Sequence, residues 1–157
     1  MALEFSPAAL QECQGLIARY PRRRSALLPV LYVAQREFGY ISKAVEELVA
    51  KVVEVPPADV SGVVSFYTMY HRDQVGKYVV EVCRTLSCAL MGADDIAGHL
   101  RRRLGIQPGE TTPDGRFTLR NAECLGSCGT APAVQINGVY HENLDIPALD
   151  RILDSLP

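Results

Sequence analysis

Four of the five cysteines in this chain fall into two close pairs. Cys83 and Cys88 lie in V-C-R-T-L-S-C-A-L-M-G, and Cys124 and Cys128 in N-A-E-C-L-G-S-C-G-T-A-P. The pattern is C-x4-C, then 35 residues, then C-x3-C. Two pairs from separate segments can wrap one inorganic centre from opposite sides. Zinc ribbons and fingers usually use C-x2-C knuckles, whose tight turns fit one small tetrahedral ion. The wider spacings here suit a 2Fe-2S rhomb, in which each of two irons takes two thiolates. Plant-type ferredoxins also open with C-x4-C but continue closely with C-x2-C, which this chain does not do. Spacing alone therefore puts a 2Fe-2S centre first, with structural zinc, and disulfides or free thiols, as the alternatives.

Other residues with reactive side chains have plainer readings. Cys13 shares helical spacing with Leu10, Ile17 and Tyr20, which makes it a buried thiol acting as a small hydrophobe. His71, His99 and His141 are assigned no role, because four cysteines already complete a cluster; His99, beside Arg101-Arg102-Arg103, is expected to be exposed at a solvated helix end. Arg22-Arg23-Arg24 reads as solvated surface, with contact to an acidic partner as the alternative. Gly126 and Gly129 either leave room for backbone N–H groups beside the sulfurs or supply positive φ. Pro132 is expected to be an ordinary trans loop proline. No G-x-G-x-x-G follows a strand and no P-loop is present, so no NADH or flavin site and no catalytic residue is assigned to this chain.

The chain has 157 residues, 48% hydrophobic and 22% charged, which is enough for a real core. A net charge of −2 gives no nucleic-acid footprint. No apolar run reaches membrane-spanning length, and Met1 to Phe5 do not open a signal peptide. A cytoplasmic, reducing setting is expected, where clustered cysteines bind metal or do redox work more often than they form disulfides.

The elements that must hold these residues change period midway. Ser6-Pro7 starts a helix, Ser25 a second that stops at Gly39, and Ser42 a third over Lys43 to Val53 with Glu46 completing a capping box. A fourth runs from Ala58 to Phe66. After a polar stretch at 71–76, Lys77 to Cys83 is β-branched, Gly92 to Leu104 is helical, and Arg116 to Ala122 is a strand. The positive end of the helix from Gly92 is expected to face Cys83 and Cys88, with Asp94 and Asp95 as helix-start acids rather than ligands. Asn137-Gly138 joins the strands Ala133 to Ile136 and Val139 to His141, and Asp145 caps a last helix over Ile146 to Leu156. Both cysteine pairs are placed on loops at strand ends. The fold class is thus α/β: an N-terminal helical bundle over residues 1–73 and a thioredoxin-like domain over 74–157.

These residues resemble the NuoE-type subunit of NADH:quinone oxidoreductase (respiratory complex I), a thioredoxin-like 2Fe-2S ferredoxin family. The likeness runs through S-A-L-L-P-V-L-Y-V-A-Q-R-E-F-G-Y at Ser25 to Tyr40, S-F-Y-T-M-Y at Ser65 to Tyr70, both cysteine segments and Q-I-N-G. It implies one 2Fe-2S cluster on Cys83, Cys88, Cys124 and Cys128. It also implies an NADH- and FMN-binding flavoprotein partner of NuoF type, with which the cluster exchanges electrons. The chain would sit peripherally on the cytoplasmic side of the inner membrane through that complex. The same module recurs in NAD-dependent formate dehydrogenases and NAD-linked or bifurcating hydrogenases. A zinc-stapled adaptor is the alternative from a different class.

Overall fold

Seven α-helices and a four-stranded sheet are formed by the described residues, 3–157, of a computed structural model. The reading of Met1 and Ala2 as part of a start without a signal peptide lies outside the described residues. The chain divides into two compact units between Gln74 and Val75.

In the first unit α1 spans Pro7–Ile17, α2 Leu27–Phe38, α3 Lys43–Val53 and α4 Pro57–Phe66. Two of the caps in this unit, Ser6 and Ser42, are those the sequence announces. Ser6 Oγ accepts from Ala9 N–H at 3.3 Å and Ser42 Oγ from Val45 N–H at 3.3 Å. Gly39 ends α2 with φ 82°, in the left-handed half of the map that glycine enters freely. Three expectations need correction. Helix α1 stops at Ile17, so Tyr20 falls in the following turn and is exposed. Ser25 sits inside a 3-10 turn, Arg23–Ala26, and Ala26 rather than Ser25 precedes α2. Glu46 is buried, and its carboxylate turns to Lys43 Nζ at 2.8 Å and to Ser61 of α4 instead of serving only the helix start. Each helix buries one stripe, and Ile17, Val30, Leu31, Val49, Val53 and Val60 meet in one core. Cys13 lies in that core, as its spacing predicts.

In the second unit β1 spans Tyr78–Cys83, α5 Leu86–Leu90, α6 Ala93–Leu104, β2 Phe117–Ala122, β3 Val134–Ile136, β4 Val139–His141 and α7 Ile146–Ser155. Strand order is β2-β1-β3-β4. Strands β1 and β2 are parallel, joined by the crossover through α6, while β3 runs antiparallel to β1 and β4 to β3. This is the thioredoxin-like arrangement. Alternate residues of the strands (Val80, Val82, Leu119, Ile136) turn one sheet face onto Leu100 of α6 and Leu149 of α7. Asn137 and Gly138 have φ 48° and 84°, both positive, as a two-residue type I′ hairpin requires. The sequence misses the tie between α6 and α7. His99, expected to be exposed, is partly buried and bonds Asp150 at 2.7 Å, and Arg103 reaches Asp150 and, at 2.6 Å, Asp154. Part of the arginine run is therefore a cross-helix clamp rather than a solvated end. Among the described residues no helix is long and apolar enough to cross a membrane.

Candidate metal centre

Parallel pairing brings the two cysteine segments to one end of the sheet. Cys83, the last residue of β1, is level with Ala122, the last residue of β2. The ladder runs one step further, Arg84 N–H donating to the Ala122 carbonyl at 3.1 Å. Cys124 lies two residues beyond that point.

Loops alone do not carry the pairs, contrary to the expectation. Cys83 closes a strand, Cys88 lies within the short helix α5, and Cys128 opens a 3-10 turn, Cys128–Thr130; Cys124 is in a loop. The C-x4-C spacing has a geometric reason. After the strand, Thr85 is extended and its carbonyl accepts from Ala89 N–H at 3.0 Å, starting a single helical turn. That turn brings Cys88 back against Cys83, and the two thiols are hydrogen-bonded to each other. Both are buried with Ala93, Ala131 and Ala133, small side chains that leave room at the sulfurs. Ala93 is the first residue of α6, so the positive end of that helix lies against this pair, as the sequence predicts.

Backbone N–H groups are aimed at sulfur. Burial pushes the Cys83 thiol up, but hydrogen bonds from the Thr85 and Leu125 backbones, together with those of the Cys88 and Thr85 side chains, outweigh it and hold the group below its ordinary value. Leu125 follows Cys124, so the second segment reaches over the first. Cys88 is pushed up by burial and by its bond to Cys83, against a backbone hydrogen bond at Ala133, and Cys128 lies near enough to add to the rise. Cys124 and Cys128 are exposed, and Gly126 N–H points at Cys124 Sγ from 3.4 Å. With φ 77°, Gly126 supplies both the donor and the left-handed turn. Gly129 does not supply such a turn: its φ is not in the left-handed region.

The turn bearing Cys128 is braced from behind. Asn143 N–H donates to the Thr130 carbonyl at 2.7 Å and Leu144 N–H to the Pro132 carbonyl at 3.3 Å. Ser127 and Thr130 hydroxyls hold the Glu142 carboxyl below its usual range. No spacing in the sequence marks Glu142, which merely follows a hairpin. The Ala131–Pro132 peptide is cis, not the trans form expected; the trans preference before proline is only about 0.5–1 kcal/mol, so local packing decides. Asp94 and Asp95 are exposed in the first turn of α6. His99 is engaged by Asp150, and His141 pairs across the hairpin with Val134.

No disulfide joins any of the five cysteines. Among the described residues no three His, Cys, Asp or Glu side chains converge on a single metal ion. The arrangement is one buried thiol pair, Cys83 with Cys88, and the exposed Cys124 and Cys128 on the neighbouring segment, with N–H donors directed at the sulfurs of Cys83, Cys88 and Cys124. Such donors stabilise negative charge on sulfur, so the set fits a centre that takes two thiolates per iron.

The sequence profile described as thioredoxin-like 2Fe-2S ferredoxin matches residues 13–157. The chain is 43% identical over 145 residues to an NADH-quinone oxidoreductase subunit of Rhizobium meliloti, covering 92% of itself and 86% of that protein. It is 48% identical over 142 residues to NADH-quinone oxidoreductase subunit 2 of Thermus thermophilus, covering 88% and 78%. Crystal structures of NAD+-reducing NiFe hydrogenase in the H2-reduced and air-oxidised states match with TM-scores of 0.70 and 0.71 at 22% and 24% identity. This chain spans only 22% and 24% of those chains, so that likeness is one of fold.

Proposed function

Because the chain belongs to the thioredoxin-like 2Fe-2S ferredoxin family, we propose that it is the electron-transfer subunit of an NADH:quinone oxidoreductase. In this reading Cys83, Cys88, Cys124 and Cys128 ligate one 2Fe-2S cluster, Cys83 with Cys88 on one iron and Cys124 with Cys128 on the other. The observation that carries it is the level pairing of Cys83 with Ala122, which sets both cysteine segments at one end of adjacent parallel strands. The cluster, when bound, supplies a place for one electron at a time.

The chain's own residues do the rest. Thr85, Leu125 and Gly126 offer N–H groups to sulfur, which offset charge without a titrating side chain. Ala93, Ala131 and Ala133 keep water and bulk away from the Cys83–Cys88 side. Exposed Cys124 and Cys128 leave the opposite side open to a partner. That partner is an NADH- and FMN-binding flavoprotein subunit of NuoF type, where the hydride chemistry takes place. Residues 1–73 form a helical domain that favours a docked subunit over a free ferredoxin, and residues 74–157 form the ferredoxin domain. The assembled chain lies peripherally on the cytoplasmic side of the inner membrane.

Iron, acid-labile sulfide and zinc are measured on anaerobically purified protein, with EPR before and after dithionite. Iron and sulfide at about two each per chain, silent when oxidised and giving an S = 1/2 signal when reduced, are expected. Zinc without sulfide would replace this reading with a structural adaptor. Reduction of the cluster by NADH only when the flavoprotein subunit is present tests the partner.

A further inference from the structure

Arg84 and Glu123 stand at matching places on the two cysteine segments. Arg84 follows Cys83, and Glu123 precedes Cys124. The ladder between β1 and β2 continues past the strand ends through Arg84 N–H and the Ala122 carbonyl, so the two side chains leave the sheet as neighbours. Arg84 Nη2 meets Glu123 Oε1 at 2.6 Å and Nε meets Oε2 at 3.2 Å. This is a side-on fork, in which a planar guanidinium fixes both oxygens of a carboxylate.

Both side chains are largely exposed, and such a pair contributes little to stability. Position gives it a different consequence. One cation and one anion sit next in sequence to Cys83 and Cys124, and they cancel. Ion pairs also join α6 to α7, through His99 and Arg103, away from these two segments. We infer that the Arg84–Glu123 pair is a charge-balanced clasp across the two cysteine segments, and that its balance sets the reduction potential of the centre they hold. The inference rests on the cluster reading above. Reduction adds one negative charge. An unpaired cation nearby therefore favours the reduced form, and an unpaired anion the oxidised form. Breaking the pair from its two ends moves the potential in opposite directions.

The test is an EPR-monitored redox titration of the full chain with its cluster, comparing wild type, Arg84→Gln, Glu123→Gln and the double variant. Arg84→Gln leaves Glu123 alone, and the reduction equilibrium is expected to shift about three- to tenfold toward oxidised; tenfold is 59 mV for one electron. Glu123→Gln is expected to shift it by a similar factor toward reduced, and the double variant to return within about twofold of wild type. All three differences contract near 1 M salt, where the screening length is about 3 Å. Shifts of one sign in both single variants, or a double variant farther from wild type than either, would reduce the pair to a mechanical tie. Unchanged potentials would overturn the inference equally. Where a glutamine variant loses its cluster, Arg84→Lys keeps the charge without the fork and is expected to hold the wild-type potential. A shift there toward oxidised of three- to tenfold would overturn the inference, because geometry rather than charge would then govern. Wild-type protein that assembles no iron and sulfide would instead overturn the cluster reading itself.

Discussion

Cys13 and Asn137 show how much a single side chain can do away from the metal centre. Cys13 is shut in the helical core, and burial, with Glu12 beside it, pushes its thiol up to about 11 from an ordinary 9.0. A raised pKa means the unfolded chain loses the proton first. The contribution is full below pH 9 and is lost as pH rises through about 11. Urea unfolding is therefore expected to show stability falling across that window, with a smaller slope in Cys13→Ala. A thiol reagent at pH 8 is expected to spare Cys13 until the protein unfolds. Asn137 reads from sequence as a turn former, and it is one. Its amide also continues the sheet: Oδ1 accepts from Val79 N–H at 2.8 Å and Nδ2 donates to the Lys77 carbonyl at 2.8 Å. Asn137→Ala leaves the Val79 donor without that partner, at a cost of about 1–3 kcal/mol readable by urea denaturation. The dipeptide signals a turn because its local conformation is special. The bonds to β1 depend on a strand that lies far away in sequence, and nothing local encodes them. The four paired cysteines were legible as a type and a spacing for the same reason in reverse, since close pairs are local.

Elements announced by polar caps were legible, and those made by tertiary contacts were not. Ser6, Ser42 and Asp145 each accept a hydrogen bond from the first turn of the helix they start. Helix α5 has no side-chain cap, is five residues long, and leaves Leu86 and Leu90 71% and 77% exposed, so its two leucines face outward and only Cys88 is buried. No periodicity rule finds such an element. Arg23 illustrates the same limit from the other side. A run of arginines looks like solvated surface, yet Arg23 Nε donates to the Val53 carbonyl at 3.1 Å and Nη2 to the Val52 carbonyl at 2.9 Å, closing the C-terminus of α3. Arg23→Ala is expected to lower stability by about 1 kcal/mol in urea, with Arg22→Ala near neutral. Between α6 and α7, His99 and then Arg103 hold the Asp150 carboxyl below its ordinary 3.8. A depressed pKa gives stability that is present above that ordinary value and lost as pH falls through the lower folded one. Acid unfolding of Asp150→Asn is expected to lose part of the wild-type slope below about pH 4.

On the scale of the whole chain, each unit is closed by its own core: one of Ile17, Leu31 and Val49 among others, one of Val80, Leu100 and Leu149. The change from helical to strand period marks this division in the sequence, because periodicity is set by which face must be buried. Removing the metal centre with a chelator and reductant is expected to leave amide exchange in α1 to α4 unchanged and to speed it at 84–91 and 123–131. Faster exchange throughout α2 would contradict separate cores. The parallel alignment of β1 and β2 has one more outcome, for how such chains vary in length. The site is assembled from strand ends, while the 35 residues between the pairs travel out along α6 and back through the turn at Pro113–Asp114. Lengthening that surface turn moves Cys124 along the chain but leaves Ala122 level with Cys83. The short spacings within each pair are rigid gauges of the centre, and the long interval between them is elastic.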